Sequence, residues 1–85
     1  MNNVIELPSE MVVATSAVAA IGRLTSQAGD ILPHYFFTLY LSSGTEIYWK
    51  VWPVDGGDLT PGDGKRAEAI RDRVVHDWKT HLANP

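Results

Sequence analysis

The glycine-rich run GGDLTPGDGKRA at residues 56–67 is the segment whose composition most suggests chemistry. Its Gly64-Lys65 pair is the pair that ends a phosphate-binding loop, in which backbone N–H groups and the lysine hold the phosphates. That loop also needs a glycine five residues before Gly64, and a Ser or Thr directly after the lysine. Leu59 and Arg66 stand at those positions. The run therefore predicts a connecting loop, for which Gly, Asp and Pro are common residues.

The histidines and acids are spaced poorly for a metal site. His76 and His81 lie about 140° apart around a helix, whereas two zinc ligands on a helix are three or four residues apart. Three acids lie in the glycine-rich run or next to it: Asp55, Asp58 and Asp63. They lack the alternating spacing of acids in a calcium-binding loop. The chain has no cysteine, which excludes thiolate ligands, cysteine nucleophiles and disulfides. The sequence predicts no metal and no cofactor.

Nucleophile motifs are missing as well. No serine stands in a G-x-S-x-G pattern, and Ser42-Ser43-Gly44 has the composition of a turn. A chain of 85 residues has little material for both a core and a substrate pocket. We therefore predict that the protein is not an enzyme. A catalytic site assembled only by folding is the remaining alternative in that class.

Aromatic residues are the most unusual feature of the chain. Seven of the eight fall within HYFFTLYLSSGTEIYWKVW, residues 34–52, and only Trp78 lies outside. The run predicts a β-hairpin, because two stretches rich in β-branched and aromatic residues flank a Ser-Gly turn. A three-residue loop, 42–44, places Gly44 where a type I turn with a G1 bulge needs a left-handed residue.

This loop fixes the register of the hairpin. It pairs Leu41 with Thr45 next to the turn, and then apolar residues with one another: Leu39 with Ile47, Phe37 with Trp49, and Tyr35 with Val51. A two-residue loop at Ser43-Gly44 would instead pair Leu41 with Glu46 and mix apolar and charged residues on each face. Since side chains alternate along a strand, the favoured register makes one face continuously apolar.

The other face of the hairpin is mixed, and it is the predicted functional surface. A small domain seldom exposes several aromatic rings without use, and Tyr and Trp are enriched at protein interfaces. The alternative is that loops cover this face and bury the rings. The candidate partner-binding residues are Phe36, Tyr40, Glu46, Tyr48, Lys50 and Trp52.

The C-terminal segment predicts an amphipathic helix. Apolar residues recur at helical spacing and form one stripe: Ala67, Ile70, Val74, Trp78 and Leu82. We expect this stripe to pack on the apolar face of the hairpin, with Trp78 and Trp49 each buried against the other's element. Thr60 and Asp63 are alternative N-caps, and Gly64 in the first turn favours the later start at Asp63.

The N-terminal third is ambiguous between a helix that starts at Ser9 and short strands. We favour strands at Met11 to Ala14 and Val18 to Leu24 with a turn near Thr15-Ser16, because a lone hairpin is marginal in water. Residues 25–33 and 53–64 are then loops. The prediction is one α+β domain over residues 1–85, with an antiparallel sheet of three to four strands and one C-terminal amphipathic helix on one face.

Charge and composition narrow the partner. The net charge is −3, and residues 1–64 carry the acidic excess, which disfavours a polyanion. The five bases after residue 64 alternate with acids, as on a solvated helix. The longest apolar run, residues 11–21, is too short to cross a bilayer. The start lacks the early bases of a secretory signal. We therefore expect no membrane contact, and because a small domain without disulfides suits a reducing compartment, we expect a cytoplasmic location.

The remaining partner class is protein. We predict a protein partner, with a homodimer through the open strand edges as one alternative. Inhibition of bacterial machinery, as practised by small acidic phage and mobile-element proteins, is an expectation from size and charge alone. Nucleic-acid binding through the aromatic face or the basic helix is the second function class.

Overall fold

The computed structural model of the protein describes residues 3–28, 32–54 and 56–83. These form two antiparallel sheets and a long C-terminal helix, which confirms the α+β prediction. In chain order the elements are β1 (Val4–Glu6), β2 (Val12–Ala14), a 3-10 helix (Thr15–Ala17), β3 (Val18–Ile21), β4 (Thr25–Gln27), β5 (His34–Leu41), β6 (Glu46–Val51) and α1 (Pro61–Ala83). No helix among the described residues has the length and apolar character needed to span a membrane.

The larger sheet is centred on β5. β6 pairs with one edge of β5, and both β3 and β4 pair antiparallel with the other. Ile21 lies opposite Leu39, and Thr25 lies opposite Phe36, so residues 18–27 behave as one edge strand interrupted by a slip in register. Gly22 bridges the interruption, because its N–H donates to the Thr38 carbonyl at 2.8 Å.

The β5–β6 hairpin has the predicted register. Phe37 lies opposite Trp49, and Leu39 lies opposite Ile47. At the turn, the Leu41 N–H donates to the Thr45 carbonyl at 2.9 Å, and Gly44 has φ of +93°, the left-handed conformation that a G1 bulge requires. The turn chemistry and the apolar alternation thus select the same pairing.

The N-terminal third forms strands, as favoured from the sequence. The predicted turn near Thr15-Ser16 is the 3-10 helix, and the predicted strand at Val18 to Leu24 is β3, which ends at Ile21. β2 pairs with β1 in a separate hairpin rather than with the larger sheet. The loop prediction over 25–33 is wrong at β4, a polar and exposed strand without an apolar pattern to reveal it. Residues 29–31 lie outside the described residues.

The core lies between the larger sheet, the β1–β2 hairpin and α1. Phe37 and Leu39 have no exposed surface. The buried cluster consists of Ile5, Leu7, Val13, Val18, Phe37, Leu39 and Val74. The exposed Leu82 at the end of the predicted stripe lies beyond this cluster.

Both tryptophans named from the sequence pack against this core. Trp49 stacks on Phe37 with ring centroids 5.4 Å apart, and it lines a cleft with Ile70 and Val74 of α1. The Trp78 indole N–H donates to the Val18 carbonyl at 3.1 Å. Both side chains are thus only partly buried, Trp49 faces α1 across the cleft, and Trp78 makes its hydrogen bond to β3 rather than to β6.

The helix begins at Pro61, so the later start at Asp63 is wrong, and the predicted loop over 53–64 ends earlier. Thr60 is the cap: its Oγ1 accepts from the Asp63 N–H at 3.2 Å, while the Asp63 carboxylate accepts from the Thr60 N–H at 3.0 Å. This reciprocal pair is a capping box with aspartate at its third position. Gly64 is tolerated in the first turn because Tyr35 packs on it, and an added Cβ would lie 3.0 Å from the Tyr35 hydroxyl.

Candidate functional site

The outer face is the side of the larger sheet turned away from the core. Because β5 and β6 pair in the predicted register, directly opposed residues share this face: Phe36 with Lys50, Thr38 with Tyr48, and Tyr40 with Glu46. Five of the six candidate residues lie on this face of β5 and β6. The sixth, Trp52, directly follows the last residue of β6. We use "outer face" for His34, Phe36, Thr38, Tyr40, Glu46, Tyr48, Lys50 and Trp52.

Three rings of the outer face are open to solvent. Tyr40, Tyr48 and Trp52 keep 41%, 52% and 46% of their surface exposed. Phe36 is half-buried, and Glu46 and Lys50 are exposed. Next to Tyr40, the edge strand presents only small residues, because Ala20 lies opposite Tyr40 and Gly22 lies beside its ring.

Four rings of the outer face contact one another in a row: Tyr48, Phe36, His34 and Trp52. Phe36 and Tyr48 meet edge to face with centroids 5.8 Å apart. Trp52 lies over His34 at 4.4 Å, and His34 lies 6.1 Å from Phe36. The Lys50 ammonium is 6.0 Å from the Trp52 ring centroid, at the outer limit of a cation–π contact. These contacts fix ring positions that a flexible loop would leave variable.

His34 is the outer-face residue that sequence reasoning missed. It is only 3% exposed, and its Nδ1 lies 2.9 Å from the Leu32 carbonyl oxygen. Since a carbonyl only accepts, Nδ1 carries the proton. The alternation that selected Phe36 and Tyr40 also reaches His34, two residues earlier, and would have found it. His34, which contacts the Trp52 ring, and Thr38, which lies opposite Tyr48, are the two buried polar residues of the outer face.

Arg66 and Asp63 hold the end of β6 against the start of α1. The Arg66 guanidinium donates to the Trp52 carbonyl at 2.6 Å and lies 3.4 Å from the Asp63 carboxylate. The pKa of Asp63 is lowered, first by the hydrogen bond from the Thr60 N–H, against an opposing effect of desolvation. The Thr60 hydroxyl, the Val54 N–H and Arg66 lower it further. Asp63 therefore stabilises the junction, and its carboxylate oxygens are already occupied.

Of the acids that the sequence offers as cation ligands, Asp58 and Asp63 line one small pocket together with Arg66. The glycine-rich run forms the junction and the first turns of α1. Asp55 lies outside the described residues. Within residues 3–28, 32–54 and 56–83, no group of three or more His, Asp or Glu side chains could hold a metal ion.

A cleft of about 690 Å³ lies between β1, Trp49 and one face of α1. It is lined by Val4, Ile5, Glu6, Thr15, Trp49, Arg66, Ala69, Ile70, Arg73, Val74 and Asp77. The cleft joins apolar walls to two arginines and two acids. It carries no catalytic constellation of the kinds considered above.

Comparison of the chain with protein-family models, with curated proteins and with solved structures found no significant match. The outer face therefore has to be interpreted from its own geometry.

Proposed function

We propose that the protein is a non-enzymatic, cytoplasmic protein that binds a protein partner through its outer face. The observation that carries the proposal is the set of exposed rings on one side of the β5–β6 hairpin, with Tyr40, Tyr48 and Trp52 each 41–52% exposed. Clustered exposed apolar side chains mark interaction sites, and Tyr and Trp contribute strongly to protein interfaces.

The energetics favour a weak or moderate complex through the rings alone. Burying about 300 Å² of apolar ring surface, roughly half of three aromatic side chains, contributes about 7 kcal/mol. Association itself opposes binding by about 4–15 kcal/mol. Because Tyr48 and Trp52 are already positioned by Phe36 and His34, they lose little rotamer freedom on docking. A stable complex still needs contacts beyond the rings.

Glu46 and Lys50 provide the charged part of such a contact. Both are exposed and stand on either side of Tyr48 on β6. Charges at the rim of an interface fix orientation and disfavour wrong partners more than they raise affinity. Glu46 lies two positions before Tyr48 on β6, and Lys50 lies two positions after it. The two opposite charges therefore favour one orientation of a bound partner over the reverse one.

Nucleic-acid binding is the weaker function class. Two bases of the C-terminal segment are already used inside the protein: Arg66 donates to the Trp52 carbonyl at 2.6 Å, and Arg71 donates to the Gly22 carbonyl at 2.7 Å. The outer face has one base, Lys50, beside the acid Glu46. Phosphate binding needs several uncompensated bases.

The test is co-purification with tagged wild type, Tyr48→Ser and Leu82→Ser, followed by mass spectrometry. Leu82 is the matched control, because it is 56% exposed and lies on α1, away from the outer face. We expect a protein that wild type and Leu82→Ser retain and Tyr48→Ser loses. Equal retention by all three variants would contradict the outer face as the site, and salt-sensitive retention of nucleic acid would favour the other class.

A further inference from the structure

The edge of β6 that faces away from β5 has a defined set of open backbone groups. In the described part of the chain, β6 pairs with β5 alone. The Leu41–Thr45 hydrogen bond sets the alternation of an antiparallel ladder. Ile47, Trp49 and Val51 therefore bond to β5, while Glu46, Tyr48 and Lys50 turn their N–H and C=O groups toward the open edge.

The open edge is short, because other contacts limit it at both ends. Beyond Lys50, the next outward carbonyl belongs to Trp52, and it accepts from the Arg66 guanidinium at 2.6 Å. Before Glu46, the chain enters the turn, where Gly44 has φ of +93° and donates its N–H to Leu41. The open edge thus consists of three residues with Tyr48 at its centre.

The sequence of this edge, Glu46-Ile47-Tyr48-Trp49-Lys50, is complementary to itself in charge. If two copies of β6 pair antiparallel with Tyr48 opposite Tyr48, each Glu46 lies opposite the other copy's Lys50, on the same face. A pairing centred on Ile47 would set Glu46 opposite Tyr48, and one centred on Trp49 would set Lys50 opposite Tyr48. In neither of these registers does Glu46 lie opposite Lys50. Opposite charges directly across a strand pair are stabilising, so the centred register is favoured.

We propose that a second copy of this chain is the partner, and that the two copies pair through the open edges of β6 with Tyr48 on the two-fold axis. This inference rests on the proposed function, since Glu46, Tyr48 and Lys50 belong to the outer face. The pairing supplies six backbone hydrogen bonds, which are the contacts beyond the rings that a stable complex needs. On the inner face, the half-buried Ile47 of each copy lies opposite the half-buried Trp49 of the other copy.

The geometry of such a pair leaves part of the outer face free. A two-fold axis perpendicular to the sheet keeps both outer faces on one side and both helices on the other. The two larger sheets then become one continuous sheet across the β6–β6 junction. Tyr40 and Trp52 of each copy remain on the shared surface. The dimer also covers an open strand edge, which is otherwise a site of uncontrolled pairing.

Charge reversal tests the register. Glu46→Lys places lysine opposite Lys50, and Lys50→Glu places glutamate opposite Glu46, twice per dimer in each case. By sedimentation equilibrium we expect wild type to dimerise and each single variant to dimerise at least about tenfold more weakly. The double variant restores opposite pairs and should return to within about threefold of wild type. An equal mixture of the two single variants should form a heterodimer, because every pair is then opposite in charge.

A cysteine trap tests the axis independently, since the natural chain has no cysteine. In Tyr48→Cys the two Cα atoms would be about 5.5 Å apart across the axis, within disulfide range. Mild oxidation should give a covalent dimer. Ser43→Cys, on the exposed turn, is the control and should form no covalent dimer under the same conditions, because the axis places the two turns at opposite ends of the junction.

Two results would overturn the dimer: wild type that stays monomeric at high micromolar concentration, or a double charge variant that dimerises no better than the single ones. Neither result touches the proposed function. If wild type is monomeric and Tyr48→Ser still loses a co-purified protein, the outer face binds a different partner. If the charge variants behave as expected while Tyr48→Ser changes no association, the edge is the site and the rings are not.

Discussion

On the inner face of the β5–β6 hairpin, Phe37 and Leu39 have no exposed surface, whereas on the outer face Tyr48 and Trp52 keep 52% and 46%. Both faces are rich in large apolar residues. They differ in what lies against them: α1 and the β1–β2 hairpin pack on the inner face, while the outer rings pack mainly on each other. Apolar character alone therefore does not decide which face of the hairpin is buried. The buried face is the one on which other elements of the fold pack.

Leu39→Ser on the inner face is the substitution for which we expect the largest effect. Leu39 is completely buried at the centre of the core cluster. The substitution leaves a cavity and an unsatisfied hydroxyl, so we expect a loss of about 3–5 kcal/mol in the free energy of unfolding. That is a large share of the stability of a small domain. Chemical denaturation followed by tryptophan fluorescence measures it, and a loss below about 1 kcal/mol would contradict this core.

Trp78→Ala tests what holds the second layer on the inner face. Trp78 packs against the core cluster and donates its indole N–H to the Val18 carbonyl at 3.1 Å. We expect a loss of about 3 kcal/mol, because both the packing and the hydrogen bond disappear. Trp78→Phe is the matched control: it keeps most of the ring and should lose less than half as much. Equal melting of Trp78→Ala and wild type would refute the docking of α1 on β3.

The junction between the hairpin and α1 makes this arrangement sensitive to pH. The lowered pKa of Asp63 means that its carboxylate stabilises the fold above its unfolded pKa of about 4, and that this contribution is lost as pH falls through the folded pKa. We expect Asp63→Asn to melt below wild type at neutral pH, with the difference narrowing below about pH 4. Thermal melts of both proteins across that range measure it. A difference that stays constant with pH would exclude the charge of Asp63 as its cause.

The sequence predicted the hairpin well because two independent signals agree there. Gly44 at the third loop position and the alternation of Phe37, Leu39, Ile47 and Trp49 select one register, and the outer face follows from it. The helix start failed for the opposite reason. The penalty of Gly64 in the first turn is visible in the sequence, but the capping box of Thr60 with Asp63 and the packing of Tyr35 on Gly64 outweigh it.

Two further features could not be predicted, since they depend on neighbours distant in sequence. β4 is a polar and exposed strand that exists because β5 offers it an edge. The burial of His34 depends on Trp52, eighteen positions later, which lies over its ring. The strand preference of a single residue predicts little at such positions, because tertiary contacts determine whether the residue joins a strand or becomes buried.

On the outer face, Tyr48→Ser is the substitution for which we expect the smallest effect on stability. Tyr48→Ser removes a ring that is 52% exposed and contacts Phe36 at its edge, while the backbone pairing with Thr38 stays in place. We expect the free energy of unfolding to change by no more than about 0.5–1 kcal/mol. Trp52→Ser is a less clean probe, because it also uncovers His34. Denaturation of monomeric samples at low concentration separates this effect from any association. If Tyr48→Ser unfolds the domain as severely as Leu39→Ser, the outer rings form a second small core, and the outer face is not a binding surface.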